Sequence, residues 1–323
     1  LKKIEKIEQR HEVVAYLLSH TDTLSLIKDN ISRMGDIERL ISKVATLKIN
    51  PREVVQLCAS LEHIAPIKQQ CLQSGKESLS LLGDKLHDCL QLCTRIRQTL
   101  TDEAPVNIAK GNAIAAGFSA ELDELRNLSH TGKSYLDDLL LRETQRTGIP
   151  SLKIDNNNVF GYYIEVRNTH KDKVPADWVR KQTLVNAERY ITDELKEYEA
   201  KIVGAEERIS QLEQSLYAEL ISYISKYIAQ VQTNATLIGQ LDTLCGFATL
   251  ALENHYKRPE MSESYVIDIK EGRHPVIEKQ LPVGTPYIAN DVYLDRDTQQ
   301  LMMITGPNMS GKSAILRQTA LIV

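Results

Sequence analysis

Thr192-Asp193-Glu194-Leu195-Lys196-Glu197-Tyr198 opens a stretch in which apolar positions recur by threes and fours: Leu195, Tyr198, Ile202, Ala205, Ile209, Leu212 and Leu216. That spacing lines one stripe of an α-helix, with Thr192 as N-cap and Asp193 and Glu194 as first-turn carboxylates. No proline occurs between Pro175 and Pro259. A helix from Thr192 to about Gln232 would run roughly 60 Å at about 1.5 Å per residue, too long for one compact domain. Such a helix is an arm, and it needs a partner.

The partner precedes it. Ser119 caps a second helix with apolar or small residues at Leu122, Leu125, Ser129, Gly132, Leu136 and Leu139 or Leu140, stopped by Thr147-Gly148-Ile149-Pro150. Between the two arm helices the composition changes. Ser151–Ile154, then Asp155-Asn156-Asn157-Asn158, then Val159–Val166 read as strand, turn and strand, and a third strand is expected over Trp178–Val185. This β-rich module, about 149–191, carries Lys153, Arg167, Lys171, Lys173, Arg180, Lys181 and Arg189 against five acidic residues. It is mildly basic in a chain whose formal net charge is −4, so any nucleic-acid contact must be local.

Before the arm, residues 1 to about 100 read as short amphipathic helices. Ile37, Leu40, Ile41 and Val44 share one face. Asn50-Pro51 with Glu53 opens the next helix, and a further one is expected from about Ser78 to Leu100. Thr101–Gly117 is a loop-rich break. After the arm, Leu237–Tyr256 reads as helix and Tyr265–Ile269, Tyr287–Ala289, Val292–Leu294 and Leu301–Thr305 as short strands. With 42% hydrophobic residues, 25% charged, 3 Phe and 1 Trp, aliphatic helix packing is expected. No run of eighteen or more apolar residues and no signal-like start occurs, so neither a membrane span nor a membrane partner is expected. The 5 Cys show no paired framework and fit a reducing cytoplasm, and Cys89 and Cys93 read as buried thiols rather than metal ligands.

The last stretch carries the chemistry. Gly306-Pro307-Asn308-Met309-Ser310-Gly311-Lys312-Ser313 matches G-x-x-x-x-G-K-[ST], with an apolar run before it and an amphipathic run after it. In that order, backbone N–H groups close around phosphates, Lys312 reaches the β/γ-phosphates, the Ser313 hydroxyl ligates Mg²⁺, and the helix dipole favours the anion. ATP and Mg²⁺ are the expected ligands. Hydrolysis also needs an acidic residue on a later strand. Only ten residues follow Ser313, so no catalytic residue is assigned, and this mid-protein start and end are expected to belong to an internal fragment.

Five blocks in order resemble the MutS DNA mismatch-repair family across essentially the whole length. They are Asp36-Ile37-Glu38-Arg39, Gly117–Arg126, Arg180–Tyr190, Glu271–Glu278 with Pro286–Asp291, and the phosphate loop with its Pro-Asn-Met. The resemblance implies a mainly α fold with a small β-rich insertion. Residues 1–135 would be helical core and descending lever, 136–191 a DNA clamp and 192–259 the returning lever. Residues 260–323 would be the truncated start of an ABC-type P-loop ATPase domain. It also implies that Tyr287 lies against adenine, the alternative being an ordinary strand tyrosine, and His274 reads as a structural hydrogen-bonding residue at a strand end. In the clamp, Arg180 and Lys181, then Lys171 and Lys173, would contact phosphates. Asn186 is either a further contact or the cap of the following helix. Ala314 stands where the family usually has Thr, leaving the Ser313 hydroxyl in place.

The partners so implied are double-stranded DNA, a second subunit and a MutL-type repair protein, in the cytoplasm or on the nucleoid. Two other readings stay open. One is a MutS homologue acting in recombination, although the clamp-like segment counts against the branch that lacks a clamp. The other is a helical protein-binding scaffold with a vestigial P-loop, against which the intact Lys312 and Ser313 argue.

Overall fold

The computed structural model describes residues 3–157, 161–282, 284–308 and 310–323. Leu1, Asn158, Val159, Phe160 and Met309, the last four expected from the sequence in a turn, a strand and a phosphate loop, lie outside the described residues, as do the side chains at 132 and 133. The chain divides into two units, Tyr16–Leu250 and Ala251–Val323 with the residues up to Ala15. It is mainly α-helical with a small antiparallel sheet.

Short helices open the chain: α1 (Ile4–Ser19), α2 (Thr21–Ser32), α3 (Ile37–Ala45), α4 (Pro51–Glu62), α5 (Ile64–Gln73), α6 (Glu77–Lys85) and α7 (Leu90–Thr99). Their ends follow from local chemistry. Asp36 accepts from Arg39 N to start α3, and Asn50 and Glu53 exchange side-chain and backbone bonds in a capping box that starts α4. Ile37, Leu40, Ile41 and Val44 are all buried, and the surrounding core is aliphatic, with Leu57, Leu61, Ile64, Ile67, Leu92 and Ile96 fully covered.

The single helix expected over 78–100 is instead α6 and α7, separated by Leu86–Cys89 with Cys89 at φ 52. The cause is distant in sequence. Asn234, fully buried, accepts from His87 N at 2.8 Å and donates to His87 O at 2.8 Å, while Lys68 Nζ donates to Leu86 O at 2.7 Å. Backbone groups that would have continued the helix are satisfied there instead.

The two arm helices are α8 (Ala120–Thr147) and α9 (Asp193–Ser225). Ser119 caps α8 by accepting from Leu122 N, Gly148 ends it at φ 64, and Thr192 caps α9 by accepting from Leu195 N. They run antiparallel, because contacts at rising positions on α8 meet falling positions on α9. Arg126 pairs with Glu213 at 2.6 Å, Tyr135 stacks on Tyr198 with centroids 3.6 Å apart, and Arg142 pairs with Glu194 at 2.6 Å. Helix α9 has 33 residues, roughly 50 Å at 1.5 Å per residue. It stops at Ser225 rather than near Gln232. Lys226 and Tyr227 close onto Tyr223 and Ile224 carbonyls by i→i+3 bonds, and α10 (Ile228–Asn254) begins there, earlier than the expected Leu237. By length and mean hydropathy, 1.4, α10 could cross a membrane, yet it packs Val231, Asn234, Leu241, Leu244 and Cys245 into the helical core.

Between α8 and α9 lies a four-stranded antiparallel sheet in the order β1-β2-β4-β3, with β1 Lys153–Asn157, β2 Gly161–Arg167, β3 Val179–Thr183 and β4 Ala187–Ile191. Asp155, Asn156 and Asn157, expected in the turn, are strand residues paired with Tyr163, Tyr162 and Gly161. The expected third strand to Val185 ends at Thr183, and the chain turns back at once into β4. That strand had no counterpart in the expected set. Leu136, Leu139, Ile149, Leu152, Ile164, Val166, Trp178, Tyr190, Leu195 and Ile202 form one core that fastens the sheet to both helices.

The other unit holds β5 (Ile267–Gly272) antiparallel to β6 (Asn290–Leu294), the short helix α11 (Pro275–Gln280) and α12 (Lys312–Ile322). Tyr287–Ala289 and Leu301–Thr305, both expected as strands, are not strands. Strand geometry needs a hydrogen-bonded neighbour, and among the described residues none lies beside Leu301–Thr305.

Candidate functional site

The sheet at the end of α8 and α9 places the basic residues on its rim. Strand β3 is an edge strand with Val179, Arg180 and Lys181 exposed. Register jumps from Arg180 opposite Tyr190 to Gln182 opposite Arg189, so Lys181 is the extra residue of a bulge. Bulges re-aim a side chain at a sheet edge. Lys171 and Lys173 are exposed on a 3-10 turn, Asn168–Lys173, that follows β2.

Asn186 does not cap the following helix, a role taken by Thr192. It sits with Leu184 and Val185 in the three-residue connection between β3 and β4, Val185 and Asn186 exposed, closed by Leu184 N donating to Ala187 O at 2.8 Å. Asn168, which sequence reasoning passed over, ties the two loops together. Its N donates to Asn186 O at 3.1 Å and its side-chain amide to Val185 O at 2.9 Å. The 3-10 turn and the β3–β4 connection therefore form one end of the module.

Not all of these cations are equivalent. Arg180 donates to Glu188 at 3.3 Å with its side chain 61% exposed. Glu188 is held below the usual carboxylate range by the Tyr190 hydroxyl first, and then by Arg180 and Lys171. Tyr190 in turn is pushed up to about 12 by burial and by that carboxylate. Arg189 is committed inward. Its guanidinium lies 4.2 Å over the Tyr163 ring and donates to Gln182 at 2.9 Å and Glu165 at 3.3 Å. Lys171, Lys173, Lys181 and the outer face of Arg180 thus contribute exposed positive charge, as do Lys153 and Arg167.

At the other site, Gly306 (φ 151) and Gly311 (φ 89) bracket the phosphate loop. A Cβ on Gly306 would sit 2.9 Å from Ser310 Oγ, and Gly311 caps α12 in the left-handed region with open space around it, so a side chain would be strained at both. Lys312 lies back across the loop, donating to Gly306 O and, at 3.0 Å, to Pro307 O. Ser313 is exposed in the first turn of α12, and Pro307 and Asn308 are exposed in the loop.

A cleft of about 700 Å³ adjoins this loop, lined by Tyr287, Ile288, Ile304, Ser310, Gly311, Lys312, Ala314 and Ile315 among others. Tyr287 and the loop, nineteen positions apart at their nearest, share one wall-to-wall space. Glycines that leave room for approaching atoms, backbone N–H groups at a helix start and an adjacent aromatic fit a nucleotide in chemical kind. His274 caps α11, its Nδ1 accepting from Val276 N and Ile277 N at 3.3 Å each, and is 5% exposed, the structural role expected of it. Among the described residues no cluster of three or more His, Cys, Asp or Glu could hold a metal, and all five cysteines are buried free thiols.

Two buried polar residues were passed over in the sequence. Glu213, 0% exposed, accepts from Asn112 N at 3.1 Å, Ala113 N at 3.4 Å and Arg126 at 2.6 Å. A signal existed: Glu213 lies four after Ile209 and three before Leu216, on the apolar stripe of α9. Gln318, also 0% exposed, accepts from the Tyr287 hydroxyl at 2.8 Å. Nothing in the sequence around it marks that pairing.

Comparison with known proteins bears on the whole chain. The model of MutS family domain IV matches residues 117–208, which run from just before α8 to the middle of α9. The DNA mismatch repair protein MutS of Flavobacterium psychrophilum is 62% identical over 100% of this chain and 37% of its own length. Those of Parabacteroides distasonis and Porphyromonas gingivalis are 56% and 53% identical over 100% of this chain, covering 37% and 36% of their own lengths. The chain spans 37% of the length of the first of these relatives. Identity at this level over the whole of the chain, together with the domain IV match, means that the chain belongs to the MutS family.

Proposed function

We propose that this chain supplies the lever, the DNA-backbone clamp and the nucleotide-binding loop of an ATP-dependent mismatch-recognition protein. The observation that carries the reading is placement: Lys171, Lys173, Arg180 and Lys181 are exposed on a small sheet held at the end of two paired helices. Cations on such a tip contact phosphates and position a duplex without reading its sequence. Reading a mismatch falls to other parts of the longer protein. The relatives' name, DNA mismatch repair protein, favours repair over recombination. In the full-length protein two subunits would close around duplex DNA and engage a MutL-type partner in the cytoplasm.

At the loop, Lys312 would leave the Gly306 and Pro307 carbonyls for the β/γ-phosphates, Ser313 would ligate Mg²⁺, and Tyr287 would stack on the base. The magnesium ion supplies charge neutralisation of the phosphates when bound. The backbone N–H groups of Ser310–Ser313 would hold the anion, and Asn308 and Ser310 would line its approach. Coupling of this site to the arms would be a linkage between two sites.

The test is fluorescence anisotropy of this chain with matched and mismatched duplexes over a salt series. Equal binding to both, weakening steeply with salt and reduced by Arg180→Ala/Lys181→Ala, is the expected result. Binding that ignores salt or the double substitution would move the reading to a protein-binding scaffold.

A further inference from the structure

Helix α12 does more than begin at the phosphate loop. Ala314 and Ile315, in its first turns, line the cleft, and Gln318 follows on the same face three and four residues later. Gln318 is fully buried behind the cleft and its Oε1 accepts from the Tyr287 hydroxyl at 2.8 Å. Its Nε2 is buried without a partner and faces Gly272, where a Cβ would come within 2.6 Å of it and within 2.9 Å of Asn290 O. Gly272 therefore leaves the space that Gln318 fills, and through Gln318 the first strand of this unit, the phosphate-loop helix and Tyr287 meet at one point. A tyrosine ring at a cleft wall is free to turn about its side-chain torsions. Donating to a fully buried acceptor removes that freedom.

We infer that Gln318 is a positioning residue for nucleotide: it holds the Tyr287 ring in the plane that stacks on a base and fixes that ring to the helix bearing Lys312 and Ser313. The inference rests on the nucleotide reading of the cleft proposed above. A stacking platform has no acceptor–donor code, so the effect applies to purine nucleoside triphosphates as a class and not to the triphosphate group alone.

The test compares ATP with inorganic tripolyphosphate, by titration calorimetry on the full-length protein. Tyr287→Phe keeps the ring and removes only the hydroxyl. Gln318→Met keeps the volume and removes the acceptor. Each is expected to weaken ATP binding about three- to tenfold, the scale of one neutral hydrogen bond, and to leave tripolyphosphate binding unchanged. The double variant should be no weaker than either single one, because both break the same bond. ATP binding unchanged in Tyr287→Phe, additive losses, or equal loss of ATP and tripolyphosphate would each overturn the inference. Loss of both ligands is instead expected for Lys312→Ala. A wild-type protein that binds neither ligand would overturn the nucleotide reading itself, and with it this inference.

Discussion

Glu213 is the residue on which the base of the arm depends. It is a fully buried carboxylate that joins α9 to α8 through Arg126, and to the 101–117 loop through two backbone N–H groups. Removing one partner of a buried pair leaves the other uncompensated. Glu213→Ala should therefore lower the unfolding free energy by about 3 kcal/mol, measured by urea denaturation. Arg126→Met at the same site leaves the carboxylate with only its N–H donors and should also destabilise.

Glu53 makes a second, pH-dependent case. Its pKa lies below the usual carboxylate value, chiefly because Lys43 donates to it, and then through the Asn50 N–H and the nearby Arg39. The unfolded state thus binds the proton more readily than the folded one. The contribution is present above the ordinary carboxylate pKa and lost as pH falls through the lowered one. Glu53→Gln should lower stability at neutral pH by about 1 kcal/mol and leave it nearly unchanged at low pH, flattening the acid limb of a stability–pH curve.

At the scale of elements, helix ends were legible because a cap and the groups it satisfies lie within three or four residues. Asp36, Asn50, Ser119 and Thr192 each accept from the N–H predicted by that rule. Gly148, at φ 64 with open space around it, ends α8 by conformation alone. Gly148→Ala should cost about 1 kcal/mol, the penalty for an L side chain in the left-handed region, read as a lower thermal midpoint. Other boundaries were not legible. The break before α7 is set by Asn234, 147 residues away in sequence. The break at Lys226 occurs with no glycine or proline to announce it. Strand β4 was hidden because Ala187–Ile191 runs directly into the cap of α9, and strand pairing, not composition, distinguishes the two.

For the whole molecule, the net charge of −4 hides a local arrangement. Lys171, Lys173, Arg180 and Lys181 are exposed on the β-rich module, as are Lys153 and Arg167, and the slope of log affinity against log salt should count those that reach phosphates. Each phosphate contact contributes about −0.9 to that slope on duplex DNA. Arg180→Ala/Lys181→Ala should make it shallower by about 1 to 2 units, equally for matched and mismatched duplexes. The smaller value is expected if Glu188 keeps Arg180 from the phosphates.

By itself the sequence determined the features whose physics is local: the helix stripes, the caps at Asn50, Ser119 and Thr192, and the order of arm, β-rich insertion and arm. Helical hydrogen bonds close within four residues, so periodicity and caps suffice to read them. Tertiary structure alone decided the features that need a distant partner. Leu301–Thr305 has the composition of a strand but, among the described residues, no strand to pair with, so it is not one. Lys181 faces outward because of a bulge against β4. Glu213 and Gln318 are buried only because Arg126, the 101–117 backbone and Tyr287 arrive from elsewhere in the chain to meet them, and a buried polar group persists only where such a partner is supplied.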